Sequence, residues 1–107
     1  MTVETNNELR ATAALAALST VLDPEIGLNI VDLGLVYRID FHDETQTVRC
    51  DMGLTTQFCP MGSAITEAAR NALSGAFPEY DIDLRLTFDP PWNASRISPE
   101  GKAFLNR

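Results

Sequence analysis

The spacing of apolar residues changes several times along this chain, and the order of the changes limits the folds it can adopt. Helical spacing from about Asn6 to Leu22 is followed by two stretches of alternating apolar and polar residues, at 34–41 and 48–54. In the first stretch the mostly buried face is expected to hold Leu35, Tyr37 in part, Ile39 and Phe41, and the other face Val36, Arg38 and Asp40. In the second stretch one face holds Val48, Cys50, Met52 and Leu54. A second helical stripe starts at Cys59-Pro60, and a third alternating stretch covers 82–88. The apolar members of this stripe are Met61, Ala64, Ile65, Ala68, Ala69, Ala72 and Leu73. The sequence therefore predicts helix, strand, strand, helix and strand in that order.

Capping and turn residues mark the ends of these elements. Thr5-Asn6-Asn7-Glu8 matches a capping box for the first helix, and Asp23-Pro24 ends that helix. The polar run 42–45 predicts a hairpin turn between the first two strands. Near the end of the chain, Ser98-Pro99 predicts the start of a short last helix, which Gly101 weakens.

This order is typical of an α/β fold of the α+β two-layer sandwich type, with a three-stranded mixed sheet covered by helices. The last strand should run parallel to the strand before the second helix, because a helical crossover connects them. With 107 residues, 45% of them hydrophobic, the chain has enough apolar material for one core. We expect residues 1–107 to form a single domain.

The charge of the chain argues against several classes of partner. The formal net charge is -7 and the pI about 4.4, so nucleic acid and anionic membrane surfaces would repel it. The first ten residues lack a basic segment followed by an apolar one, and no apolar run is long enough to span a bilayer. We expect a cytoplasmic protein with free thiols.

The two cysteines stand in different settings. Cys50 lies in an alternating stretch, where a small, weakly polar side chain fills core space. Cys59 precedes Pro60, which is best placed at the first helical position, so Cys59 is expected at the N-cap. Backbone N–H groups and the positive end of the helix favour a thiolate there, the form that binds metals and attacks electrophiles. The alternative is an ordinary cap or a packed thiol.

Acidic and hydroxyl side chains add to this candidate site. Asp23 and Glu25 flank Pro24, as either a pair of acidic ligands or a solvated helix end. Thr55 and Thr56 could donate hydrogen bonds to a thiolate or a bound ligand, or they could satisfy backbone groups where the strand stops.

The chain is short of ligands and of catalytic motifs. One His and two Cys cannot complete a closed four-ligand zinc or cluster site without carboxylates, which disfavours a permanently bound intrachain cluster. His42 lies in a polar turn and is interpreted as a surface residue. No Gly-rich phosphate loop and no metalloprotease or hydrolase motif occurs, so we do not expect an enzyme.

Three ordered motifs resemble the SufT-like family of iron-sulfur assembly proteins. They are Asp23-Pro24-Glu25-Ile26-Gly27 with 29–37, then Met52 to Pro60 with its Thr-containing Cys-Pro segment, and Asp89-Pro90-Pro91-Trp92 with Ile97-Ser98. The chain departs from the family pattern at Gly53, where the family commonly has Thr, and at Gln57-Phe58, which replaces a spacer that often contains Pro.

The resemblance implies an iron-sulfur assembly-type domain that serves as an accessory factor in the maturation of iron-sulfur proteins. It implies a functional cluster of Asp23, Glu25, Thr55, Thr56 and Cys59. The implied partners are the assembly machinery and client apo-proteins, and a homodimer could bring two sites together. No resident cofactor is assigned; iron or a transient iron-sulfur cluster on Cys59 is compatible with this chemistry.

Alternative functions remain at this point. A related branch, which includes PaaD, serves as an accessory subunit of aerobic phenylacetate degradation and often carries a cysteine-rich C-terminal segment, which this chain lacks before Arg107. An enzyme with Cys59 as nucleophile would need a nearby base. His42 and the carboxylates are the candidates, and the predicted distance of the hairpin turn from the loop argues against His42. A structural interaction module would dock partners through an exposed Trp92 region.

Overall fold

The structure is a computed structural model that describes residues 3–24, 26–55, 62–89 and 91–106. A 3-10 turn at Ala94–Arg96 precedes the last helix. In chain order the strands and helices are β1 (Glu4–Thr5), α1 (Glu8–Leu18), β2 (Val36–His42), β3 (Thr47–Met52), α2 (Gly62–Ala76), β4 (Asp81–Leu86) and α3 (Pro99–Leu105).

The sheet has the order β1-β2-β3-β4, so it contains four strands and the prediction of three was wrong. β2 and β3 form the predicted antiparallel hairpin, and β4 is parallel to β3, as expected. The additional strand β1 is two residues long and pairs parallel with β2. The Asn6 side chain continues this pairing through two 2.9 Å hydrogen bonds with the backbone of Phe41. So short a strand leaves no alternating pattern in the sequence.

The alternation predicted for β2 is interrupted by a shift in register. Val36 pairs with Met52, whereas Arg38 pairs with Asp51, so β2 carries an irregularity between Val36 and Arg38. Such a bulge breaks the alternation, so that residues before and after it no longer follow one regular pattern of faces. Val36 was expected to point away from the core and is instead fully buried.

The hydrophobic core lies between the sheet and the helices α1 and α2, which pack against each other and against strands. β3 contributes the face predicted from its sequence, with Val48, Cys50 and Met52 all fully buried. The larger members of the core include Leu18, Ile30, Leu33, Leu35, Ile39 and Leu73. The two-layer arrangement of the predicted fold class is confirmed.

Helix α1 is shorter than predicted at both ends. Asn7 is its N-cap, with the side-chain oxygen accepting from the N–H of Arg10 at 3.1 Å, while the hydroxyl of Thr5 accepts from the N–H of Asn7. The helix ends at Leu18, with Ser19 as the C-cap, and the chain then turns into a loop. Val21 still points into the core from that loop, which explains why helical spacing overestimated its length.

Helix α3 begins where the sequence predicted. The hydroxyl of Ser98 accepts from the N–H of Gly101 at 3.0 Å, and Pro99 is the first helical residue. A Cβ at Gly101 would lie 2.9 Å from Ile97 and 3.0 Å from Leu28. The glycine that weakens this helix therefore permits its close packing on the rest of the molecule.

No helix within the described part of the chain has both the length and the apolar character needed to cross a bilayer.

Candidate functional site

The predicted site residues belong to two segments of the chain, one after α1 and one after β3. Asp23 and Thr55 are within the described residues, whereas Glu25, Thr56 and Cys59 lie outside them. The expected N-cap position of Cys59 also lies outside the described part of the chain, so it stays a prediction.

Asp23 is not a solvated carboxylate at the end of a helix. It is 2% exposed, and its Oδ1 accepts a 3.2 Å hydrogen bond from the N–H of Ile26. Its backbone carbonyl accepts from the N–H of Gly27 at 2.7 Å, and its N–H donates to the carbonyl of Leu28 at 3.0 Å. The fold therefore places a carboxylate inside a tightly bonded turn, where a polar group needs several partners.

This turn closes on itself and has a defined shape. Leu22 and Asn29 form an isolated antiparallel bridge around it. Gly27 has φ of +81°, a backbone conformation that L side chains rarely adopt. Asp23 is thus held in a turn of defined shape.

The second segment of the site follows β3. The N–H of Gly53 donates to the carbonyl of Leu35 at 2.8 Å, which holds the chain beside the start of β2. Leu54 is buried, and its side chain lies so close to the backbone of α2 that a Cβ at Gly62 would be 2.8 Å from it. Thr55 is half-buried directly after this contact. The end of β3 is therefore fixed against the first residue of α2.

Gly53 has a steric role at the position where the family commonly has Thr. A Cβ at Gly53 would lie 2.8 Å from the hydroxyl of Tyr37, so a larger residue requires the ring to move. That hydroxyl is buried and has no hydrogen-bond partner among the described residues. The absence of a side chain at Gly53 thus leaves room for the hydroxyl of Tyr37.

A groove of about 590 Å³ separates the Asp23 loop from α2. On the loop side it is lined by Leu22 and Pro24, the neighbours of Asp23, and Leu22 is 57% exposed. On the helix side it is lined in part by Ala64 and Ala68, which are exposed and not part of the core stripe predicted for them. The buried stripe of α2 consists of Gly62, Ile65, Ala69 and Leu73.

Cys50 is a core residue, as predicted. It is fully buried, and burial followed by the charge of Asp51 raises the pKa of its thiol to about 12. At neutral pH this thiol is protonated and screened from reagents. Cys50 therefore has no role in a reactive site.

His42 lies at the far end of the sheet from the segment after β3. It is the last residue of β2 and pairs with Thr47, the first residue of β3. β3 then runs six residues to Met52, a length of about 20 Å at 3.3 Å per residue. This separation supports the argument against His42 as a base.

The closing motif of the sequence is a brace on the loop before β2. The indole N–H of Trp92 donates to the carbonyl of Leu33 at 2.6 Å, and Trp92 is half-buried against the core. Trp92 itself is therefore less exposed than expected, although Pro91 and Asn93 beside it are exposed, and docking through this region stays a prediction. The hydroxyl of Ser98 donates to Asp32 at 2.9 Å, and the Arg96 Nε–H donates to the carbonyl of Gly34.

Asp32 was not singled out from the sequence, although it connects two motifs. Its N–H donates to the side chain of Asn29 at 2.9 Å, and its carboxylate accepts from the amide of Asn29 at 2.8 Å. The spacing of Asn29 and Asp32 is typical of a side-chain-stabilised turn, a signal that could have identified the pair.

No group of three or more His, Cys, Asp or Glu side chains within residues 3–24, 26–55, 62–89 and 91–106 is arranged to hold a metal ion.

Comparison with known proteins defines the class of this protein. The family model described as iron-sulfur cluster assembly protein matches residues 11–83, which contain the turn around Asp23, β2, β3 and α2. The chain belongs to the iron-sulfur cluster assembly protein family.

Individual relatives extend over most of the chain. It is 35% identical over 91 residues to the Fe-S protein maturation auxiliary factor YitW of Bacillus subtilis (strain 168), covering 85% of this chain and 88% of the relative. It is 36% identical over 85 residues to the Fe-S protein maturation auxiliary factor SufT of Staphylococcus aureus (strain USA300), covering 79% and 96%. A crystal structure of the domain of unknown function DUF59 from Bacillus anthracis matches with a TM-score of 0.85 and 34% identity, covering 92% and 93%.

Proposed function

We propose that this chain is an accessory factor in the maturation of iron-sulfur proteins. The observation that carries the proposal is its similarity, over most of its length, to two relatives named Fe-S protein maturation auxiliary factors. Both relatives carry the names of auxiliary factors, and neither name describes an enzyme. We infer a non-enzymatic, cytoplasmic carrier or adaptor that works with the assembly machinery and client apo-proteins.

The proposed working group is the thiol of Cys59. Cys59 stands three residues before Gly62, the first residue of a 15-residue helix, so covalent connectivity keeps it close to the start of α2. The free N–H groups and positive end of such a helix favour the thiolate. In this role the thiolate binds iron or a transient cluster as cargo, or contacts a client protein. The remaining ligands of the iron or cluster come from a partner.

The acidic turn and the threonines complete the proposed site. Asp23 lies in a rigid turn whose neighbours face the first turns of α2 across the groove. We propose that Asp23 and Glu25 assist the contact made by Cys59, and that Thr55 and Thr56 donate hydrogen bonds to it.

Cells that lack the native protein test this function when they are complemented with variants. Cys59→Ser should abolish the gain in activity of client iron-sulfur enzymes, because a hydroxyl does not ionise near neutral pH. Cys50→Ala is the matched control, since it removes the other thiol from the core, and it should retain maturation at equal protein abundance. Full maturation with Cys59→Ser would refute the proposed role of this thiol.

The state of the thiol can be measured separately in the Cys50→Ala protein, which has a single cysteine. The alkylation rate should follow a pKa below the free-thiol value of about 8.5. A pKa at or above that value would contradict activation by the helix.

A further inference from the structure

The outer edge of β4 lacks hydrogen-bond partners among the described residues. The N–H groups of Asp81 and Thr87 donate toward β3 at 2.8 Å. Because backbone groups alternate sides along a strand, the N–H and C=O groups of Ile82, Leu84 and Leu86 point away from the sheet. Such a row of unpaired groups is a template for pairing with another strand.

The helix-covered side of this edge is incompletely buried. Leu84 pairs with Cys50 and therefore lies on the core face, yet Ile82 and Leu84 are only half-buried. Leu86 is 44% exposed, and Phe88, just beyond the strand, is 41% exposed. An added strand would cover apolar surface that this chain leaves in water.

The opposite face of β4 carries Asp81 at its start, followed by one charge of each sign. Asp83 and Arg85 are two residues apart, and their side chains form a 2.9 Å ion pair on the surface. Both remain substantially exposed. A partner strand with the inverse order of charges would therefore find a complementary pattern.

A second copy of β4 supplies that pattern in one antiparallel register. With Leu84 opposite Leu84 of the second copy, the outward backbone groups face each other, and Asp83 lies opposite Arg85 of the second copy. A register centred on Asp83 or on Arg85 would place like charges opposite each other, which is destabilising. One centred on Ile82 would oppose Asp81 and Asp83. Hydrogen bonding and charge thus select the same register.

We propose that β4 is a self-complementary edge through which two copies of this chain associate into one continuous sheet. Ile82 of each copy covers Leu86 of the other, and the helices of both copies lie on the same face. The paired segment is short and each chain carries a net charge of -7, so the dimer is weak and reversible. This inference goes beyond the proposed function and does not depend on Cys59.

Charge reversal on β4 tests the proposed register. The proteins to compare are the native chain, Asp83→Arg, Arg85→Asp and the double variant with both changes. Sedimentation over a concentration series to about 1 mM gives the dimer dissociation constant. The native chain should dimerise, and each single variant should have a dissociation constant about 10-fold or more higher. The double variant should dimerise as tightly as the native chain, because its charges are exchanged but still opposite.

An equimolar mixture of the two single variants gives an independent readout. The two arginines on β4 of the Asp83→Arg variant then face the two aspartates at the same positions of the Arg85→Asp variant. The mixture should therefore dimerise more tightly than either variant does alone. Amide hydrogen exchange at Ile82, Leu84 and Leu86 should slow as the native concentration rises.

Matched controls on the solvent face of α2 are Glu67→Arg and Arg70→Asp, which change the net charge by the same amounts at exposed positions. They should leave the dissociation constant unchanged, and thermal unfolding confirms that every variant is folded. A native chain that stays monomeric at about 1 mM, or single variants that dimerise as tightly as it does, would overturn the proposal.

Discussion

At the scale of single residues, Asp23 is the predicted site residue that the turn after α1 buries. Its backbone and side chain make three hydrogen bonds with Ile26, Gly27 and Leu28, and the residue is almost completely buried. Burial of a carboxylate is unfavourable unless partners stabilise it. The turn therefore holds a buried carboxylate at an energetic cost that an apolar side chain would avoid.

Two substitutions at Asp23 separate its charge from its shape. Asp23→Asn keeps the Oδ1 acceptor for the N–H of Ile26, whereas Asp23→Ala removes it. We expect Asp23→Ala to lower the free energy of unfolding by about 1–3 kcal/mol, and Asp23→Asn to lower it less. If the carboxylate assists Cys59, both variants lose client maturation in complemented cells. Normal maturation with Asp23→Asn would restrict Asp23 to holding the turn.

At the scale of elements, the C-terminal segment braces the loop that leads into β2. Gly34 in that loop has φ of +77°, and a Cβ there would overlap the carbonyl of Arg96. The guanidinium of Arg96 lies 4.1 Å from the ring centre of Tyr37, and the N–H of Ser98 donates to the carbonyl of Asp32 at 2.8 Å. The C-terminal segment therefore contacts both the loop that contains Asp32 and Gly34 and the start of β2 at Tyr37.

Ser98→Ala tests this brace. The variant loses the N-cap of α3 and the hydrogen bond to the Asp32 carboxylate, so the free energy of unfolding should fall by about 1–2 kcal/mol in urea titrations. Hydrogen exchange at the amide of Lys102, which donates to the carbonyl of Ser98, should accelerate. Ser74→Ala, an exposed change within α2, is the control and should alter stability by less than about 0.5 kcal/mol. Equal stability of the Ser98→Ala and native proteins would contradict the brace.

At the scale of the whole molecule, one polar cluster joins three distant parts of the chain. Arg10 of α1 forms a bidentate salt bridge with Asp43 in the hairpin turn, and the hydroxyl of Tyr80 donates a hydrogen bond to the same carboxylate at 2.7 Å. The guanidinium also lies 5.6 Å from the ring centre of Phe41. Hydrogen bonds from Arg10 and then from Tyr80 lower the pKa of Asp43 from its ordinary value of 3.8.

This pKa shift predicts a contribution to stability at low pH. Because the folded chain holds Asp43 deprotonated to a lower pH than the unfolded chain does, the contribution is present above the ordinary pKa and is lost as pH falls through the lowered one. Asp43→Asn should therefore flatten the decline in stability between about pH 4 and pH 2. Urea unfolding at several pH values measures this decline in the free energy of unfolding. Glu44→Gln, at an exposed neighbouring position, should leave the decline unchanged, and an equally steep decline with Asp43→Asn would contradict the role of the cluster.

The order of the main elements could be predicted from local pattern, because helices and strands bury one face at different spacings. The spacing of Val48, Cys50 and Met52 placed all three in the core, and Ser98-Pro99 located the start of α3. The pattern failed for β1, which is too short to alternate, and for Val36, which a bulge turns inward. It failed for Ala64 and Ala68 because helical spacing does not show which part of an apolar stripe finds a partner.

The sequence by itself determined the class of the fold, the burial of Cys50 and the family motifs, since these depend on local spacing and residue chemistry. Only the tertiary structure decided that Asp23 is buried, that Trp92 bonds to Leu33, and that β4 ends the sheet with an edge unpaired among the described residues. Each of these depends on which distant segment lies opposite a residue. Partners of that kind are selected by packing of the whole chain, and the local pattern of residues does not encode them.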